Sequence, residues 1–223
     1  MTAKVHPNVA VLSLGGQPAA APAAPADEEP VTLTVWRKSL LFNCRGFTVF
    51  DASGNLVYRV DTYASDSLAE VVLMDAAGRP VLTVRRRKFI GLGLGADQWL
   101  VYLGEETRRL PPLYAVKRAA HYMRGGGGGK SMAHVAPCPA GAAGAAKTGG
   151  GRLEVEGSYL RRCCTVYDER RRAVAEVRPK EAVGSDVFRL VVQPGMEVSL
   201  AMAVVLALDQ MFGKPSLLRS WSS

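Results

Sequence analysis

The segment from Val198 to Leu208, Val-Ser-Leu-Ala-Met-Ala-Val-Val-Leu-Ala-Leu, limits this chain more than any other. It carries no charge and is apolar on every face except Ser199. Ala, Leu and Met favour helix. The helical pattern runs from Met196 to Phe212, with Gly213 as a C-cap candidate and Pro215 as a stop. A helix that is apolar all round either spans a membrane or fills the centre of a core. Length decides between the two. The uncharged run covers about 16 Å, roughly half the hydrocarbon thickness of a bilayer. The helix therefore belongs inside the protein, and a lone helix buried on all sides needs a closed wall around it.

The rest of the chain can supply that wall. From Val31 onward, short apolar runs rich in Val, Tyr, Phe and Thr alternate with turn residues. Candidate strands cover 31–36, 47–50, 56–60, 70–74, 80–84, 99–103, 113–116, 153–156, 164–167, 173–177 and 187–192, about eleven in all. No helical pattern intervenes to make parallel crossovers. Three stretches are variants of one hairpin: VFDASGNLVYRV at 49–60, LMDAAGRPVLTV at 73–84 and VYDERRRAVAEV at 166–177. In each, an Asp follows the first strand, where its carboxylate can accept hydrogen bonds from the turn backbone. Gly54 and Gly78 permit positive φ. The expected architecture is mainly β, a closed antiparallel barrel around a central C-terminal helix.

The flanks differ in composition. Residues 1–30 are rich in Ala and Pro and read as a disordered arm. Residues 125–151 hold ten of the 23 glycines and read as a flexible insertion. One barrel domain is expected over 31–213, with a short tail at 214–223. The N-terminus lacks the apolar run of a signal peptide. Cys44, Cys138, Cys163 and Cys164 show no CxxC pairing and read as reduced thiols of an intracellular protein.

Blocks in this order resemble a known family. They are FTVFDASGNLVYRV, DAAGRPVLTVRRRKF, DQWLVY, LYAVKR, LEVEGSYLRRCCTVYD and FRLVVQPGMEVSLAMAVVLALDQ, over roughly residues 31–213. The chain resembles the plant LURP-one-related family, whose fold is similar to the C-terminal domain of tubby proteins and to phospholipid scramblases. The resemblance implies a barrel of about twelve strands around a hydrophobic helix. It also implies a link to plant defence, membrane tethering or a transcriptional role, and binding of phosphoinositides by basic residues of the barrel, with no position carried over.

Two glycine-rich stretches imitate nucleotide loops. Arg124 to Ser131 ends in Gly-Lys-Ser, but Arg124 stands where the first glycine of a phosphate loop is required and no helix pattern follows. Gly91-Leu-Gly93-Leu-Gly95-Ala96 leads into a second strand rather than a helix, so it makes no βαβ unit. Of the histidines, His6 lies in the arm, His121 follows a strand and His134 lies in the insertion. No GxSxG, HExxH or Cys–His spacing occurs. These absences lead to the expectation of a non-enzymatic chain with no cofactor and no metal.

What remains is charge. The formal net charge is +8, which favours anionic partners. The cations cluster at 85–88, 117–118, 161–162 and 170–172. Alternation puts Arg85 and Arg87 on one face of a strand and Arg86 and Lys88 on the other. Because the barrel interior is filled, one pair must sit at a rim or bulge. Arg85, Arg86, Arg87, Lys88, Lys117 and Arg118 are the candidate residues for binding acidic lipid or another anion. The expected partner is an acidic phospholipid or phosphoinositide, or an unidentified protein, ahead of nucleic acid. Nucleic-acid binding and a protein-interaction scaffold are the alternatives, and the expected location is intracellular: the cytoplasm, the plasma membrane or the nucleus.

Overall fold

A computed structural model describes residues 29–41, 44–63, 70–87, 98–105, 107–119, 131–139, 151–180 and 184–213. Twelve strands precede one helix: β1 Val31–Trp36, β2 Cys44–Phe50, β3 Leu56–Tyr63, β4 Glu70–Asp75, β5 Pro80–Arg87, β6 Gln98–Leu103, β7 Tyr114–Arg118, β8 Ser131–Pro137, β9 Leu153–Ser158, β10 Cys163–Tyr167, β11 Ala173–Pro179, β12 Val187–Val192 and α1 Val198–Phe212. Each strand pairs antiparallel with its sequence neighbours, and β1 pairs with β12, so the sheet closes on itself. Closure removes every free sheet edge.

The helix fills the barrel, as its composition requires. Residues 199–208 and Met211 are buried, and the helix packs most closely on β5, β4 and β7. Inward residues of every strand meet it: Leu33 and Val35, Val49, Val60, Leu73, Leu82 and Val84, Val101, Val116, Val135, Val155, Val166, Val177 and Leu190. Ser199, the one polar residue of the apolar run, donates its hydroxyl to Glu197 Oε1 at 2.5 Å. Gly213 closes the helix with φ −59° and donates its N–H to Asp209 O, so this C-cap is not left-handed.

Because neighbours in sequence are neighbours in the barrel, connections alternate between two ends. One end, called here the turn end, carries the β2–β3, β4–β5 and β10–β11 turns and the entry to α1. The other, the loop end, carries the β1–β2, β9–β10 and β11–β12 connections and the helix C-terminus. The three Asp hairpins are near-copies. Asp51, Asp75 and Asp168 each accept a hydrogen bond at Oδ1 from the backbone N–H four residues on, at 2.8, 2.9 and 2.9 Å. The residue before that donor is left-handed in each: Gly54, Gly78 and Arg171, at φ 84°, 83° and 61°. A one-residue register shift accompanies every turn.

One expectation is corrected. Residues 131–137, read as part of a flexible insertion, form β8, which pairs with β7 and β9. Met132, Ala133 and Val135 are buried there. The surrounding Gly and Ala hid a strand whose small residues suit the close approach of a barrel wall. The remaining parts of the stretch, 125–130 and 140–150, lie outside the described residues, as do nearly all of the arm at 1–30 and the whole tail at 214–223.

Candidate anion-binding face

Register assigns five of the six candidate cations to three situations. On β5, inward Leu82 and Val84 alternate with outward Thr83 and Arg85. Arg85 is opposite Glu70 on one side and Leu100 on the other. Its Nε lies 3.8 Å from Glu70 Oε2, and its guanidinium donates to Thr107 Oγ1 at 3.3 Å. Arg85 is thus committed to a neighbouring acid and hydroxyl on the outer wall.

Arg86 and Arg118 have the inward parity. They sit past the last buried layer, where the helix leaves the barrel. Arg86 pairs in register with Trp99, and its guanidinium lies 5.6 Å from that ring. Arg118 donates to the carbonyl of Met211 and lies 4.7 Å from the Phe212 ring. A cation at the carbonyl end of a helix satisfies an orphan acceptor and the negative end of the dipole. Arg118 therefore holds the helix tail.

Arg87 and Lys117 form the outward pair. Both stand opposite Gln98, from β5 and β7 respectively, and both are exposed. His134 on β8 continues the row opposite Lys117 and is exposed as well. Adjacent strands lie about 4.8 Å apart. Two cations one strand removed can therefore flank a single phosphate-sized anion, with the Gln98 amide between them. Lys88 lies outside the described residues.

The sequence did not single out a polar collar that surrounds the helix tail at the same end. Arg37 donates through Nε and a terminal nitrogen to the two oxygens of Asp209, at 2.9 and 3.3 Å. Tyr159 donates its hydroxyl to Asp209 at 3.1 Å, and Trp99 Nε1 donates to Gln210 Oε1 at 2.9 Å. Burial opposes the Arg37 charge, but the charge and hydrogen bond of Asp209 outweigh it and raise its pKa. Burial, with the Asp209 charge added, pushes the Tyr159 phenol well above its ordinary value, so it stays a neutral donor. Arg162, at φ 54°, is buried between the rings of Tyr159 and Phe188, at 4.3 and 4.5 Å. Its Nε donates to Ser185 O at 2.9 Å, while one terminal nitrogen has no hydrogen-bond partner among the described residues. The signal that could have exposed the collar is Asp209-Gln210, the polar pair ending an apolar helix.

The decoys resolve by geometry. Ser131 opens a strand rather than a helix, so a phosphate there would lack the aligned N–H groups of a helix N-terminus. β5 and β6 pair directly as antiparallel neighbours, with Arg87 opposite Gln98, so residues 88–97 join a hairpin and not a βαβ unit. The loop itself lies outside the described residues, as does His121. Cys163 is exposed and Cys164 buried, on opposite faces as alternation requires, and none of the four cysteines forms a disulfide. Burial first, and the neighbouring Cys163 next, push the Cys164 thiol up to about 12. No group of three or more His, Cys, Asp or Glu that could hold a metal occurs among the described residues. None of the described helices is long and apolar enough to cross a membrane.

Comparison with known proteins supplies a family. The sequence profile described as LURP-one-related matches residues 31–209. Protein LURP-one-related 8 of Arabidopsis thaliana is 44% identical over 190 residues, covering 82% of this chain and 87% of that protein. Protein LURP-one-related 17 of the same plant is 39% identical over 205 residues, covering 81% and 83%. An X-ray structure of an Arabidopsis thaliana protein superposes with a TM-score of 0.55 at 24% identity, over 82% of this chain and 91% of that one. At that identity the likeness speaks for the fold alone.

Proposed function

The chain belongs to the LURP-one-related family, and from that premise we propose that it is a non-enzymatic, intracellular module that holds anionic phospholipid headgroups, phosphoinositides among them, against the loop end of its barrel. The observation that supports this reading best is the outward row Arg87–Gln98–Lys117, two exposed cations with an amide between them. Arg85 and Arg118 are engaged elsewhere. Each cation near an anionic leaflet contributes about 1 kcal/mol of attraction. Two exposed cations give a weak, reversible contact, consistent with recruitment to a surface already rich in acidic lipid. The likeness to tubby and scramblase folds and the link to plant defence come from the family resemblance and belong to the same proposal.

The test is co-sedimentation of the whole chain with phosphatidylcholine vesicles containing a phosphoinositide. Arg87→Glu with Lys117→Glu is expected to lower bound protein at least about tenfold, and rising salt is expected to do the same. Arg118→Glu is expected to act through thermal stability instead. Binding unchanged by the double reversal overturns the assignment. A salt-sensitive gel shift with mixed-sequence DNA, in the absence of vesicle binding, would favour nucleic acid as the anion.

A further inference from the structure

Exposed large apolar side chains divide between the barrel ends. Val31, which opens β1, and Leu103 and Leu110, in or beside the β6–β7 connection, lie at the turn end. Leu40, Leu41 and Leu160 lie at the loop end, at 54%, 38% and 52% exposure. The loop-end three sit on two connections that are fastened to one segment. The Arg37 N–H donates to Asp186 O at 2.7 Å, and Arg162 Nε donates to Ser185 O, so the β1–β2 and β9–β10 connections both fasten to the 184–186 segment.

These leucines are held outward. Ser39, itself buried, donates its hydroxyl to Asp61 and accepts the Leu41 N–H at 3.0 Å. Thr48 Oγ1 donates to Lys38 O at 2.7 Å. On the other connection, Tyr159 and Arg162 are buried while Leu160 and Arg161 between them are exposed. Each leucine group thus has an exposed cation beside it in the chain, Lys38 before Leu40 and Arg161 after Leu160. Asp186, the exposed acid nearby, lies 4.0 Å from Arg37.

We infer that Leu40, Leu41 and Leu160 insert into the acyl boundary of an anionic bilayer while Lys38 and Arg161 stay at headgroup level. Apolar tips bordered by cations match the order of a bilayer surface, hydrocarbon below and phosphate above. A second copy of the chain fits worse, because self-association would bring Lys38 and Arg161 against like charges. This inference rests on the lipid reading above and adds to it which side chains enter the membrane.

The test uses the full chain with phosphatidylcholine–phosphatidylserine vesicles whose acyl chains are brominated, and with unbrominated controls. Leu160→Trp fluorescence is expected to be quenched by the brominated lipid, beyond any quenching of the unsubstituted chain. The combined Leu40→Ser, Leu41→Ser and Leu160→Ser variant is expected to partition about tenfold less at unchanged Tm. Binding that is lost with the Arg87 and Lys117 reversals but untouched by the serines, with no quenching at residue 160, overturns insertion and leaves the headgroup reading standing. Failure of the unsubstituted chain to bind any anionic vesicle instead removes the headgroup reading and insertion with it. If the serines do lower Tm, the quenching at residue 160 decides alone. A dimer in sedimentation that the serines dissociate, without quenching, overturns insertion in favour of self-association.

Discussion

The two ends of the barrel solve opposite problems. At the turn end, three short connections are closed by the same device, an Asp whose carboxylate gathers the turn's own N–H groups. Three of their cations are matched locally: Arg79 with Asp75, Arg172 with Asp168, and Arg171 with Glu154 and Glu156. The bonds span four residues or seventeen at most. At the loop end the bonds are long-range, as with Arg37 and Asp209, 172 residues apart. Cations and leucines left over from that clasp face outward. One end is finished by local chemistry, whereas the other depends on the helix tail reaching it.

If so, the largest effect should come from removing the shared acceptor of the clasp. Asp209→Ala leaves the Arg37 guanidinium and the Tyr159 hydroxyl without their partner. The expected loss is about 2–3 kcal/mol, somewhat below the figure for a fully buried pair because the Arg37 side chain keeps 26% exposure. A urea titration measures it. Asp75→Ala at the turn end is expected to cost visibly less by the same measurement. Equal losses at the two positions would end the distinction.

Next in size is the cap on the helix itself. Arg118→Met keeps a long apolar stem against Phe212 but removes the donor to the Met211 carbonyl. About 1–2 kcal/mol should be lost, again by urea titration. Lys117→Met, one residue away on the outer face, should leave stability unchanged and lower vesicle binding. A reversal of those two outcomes would mean that the alternation on β7 had been misassigned.

How much of this was legible beforehand follows the same division. The enclosed helix was readable from the run Val198–Leu208, since an uncharged helix too short for a bilayer must be buried in a core and the strands around it offer a wall. The three Asp hairpins were readable because their chemistry lies within a dozen residues. β8 was not, because Met132 and Val135 are the only large apolar residues in it and glycine-rich sequence precedes it. The collar could not be read either, because nothing at Arg37 or Tyr159 announces a partner at Asp209. Among the cations, alternation correctly separated Arg85 from Arg86, but only the register with Glu70 and Trp99 shows what each one meets.

The turn end should reveal itself in acid. Asp51, Asp75 and Asp168 all have carboxyls held below the ordinary value. The first cause at Asp51 is the Asn55 side chain, and at the other two the backbone N–H of Arg79 and of Arg172. A carboxylate whose pKa is lowered by folding stabilises the native state above its unfolded pKa. That contribution is lost as pH falls through the folded value. Thermal melts should therefore fall below about pH 4. The triple variant Asp51→Asn, Asp75→Asn and Asp168→Asn should start lower at neutral pH and show a shallower acid slope. An unchanged slope would place the acid sensitivity elsewhere.

The smallest effect tests a compromise within the turn end. Arg171 occupies the left-handed position that glycine takes in the other two turns, and a side chain there is disfavoured. In return its guanidinium reaches Glu154 and Glu156, each at 2.8 Å, and lies 4.5 Å from the Tyr167 ring. Arg171→Gly exchanges one for the other, relieving the backbone and deleting two exposed ion pairs. Such pairs are weak and screened by salt, whereas backbone strain is not. At low salt the two terms should nearly cancel in a urea midpoint. At molar salt the glycine variant should equal or exceed the unsubstituted chain. A variant less stable at both salt levels would mean that the stack on Tyr167 outweighs the strain, and that this turn, unlike its two counterparts, is held by its side chain.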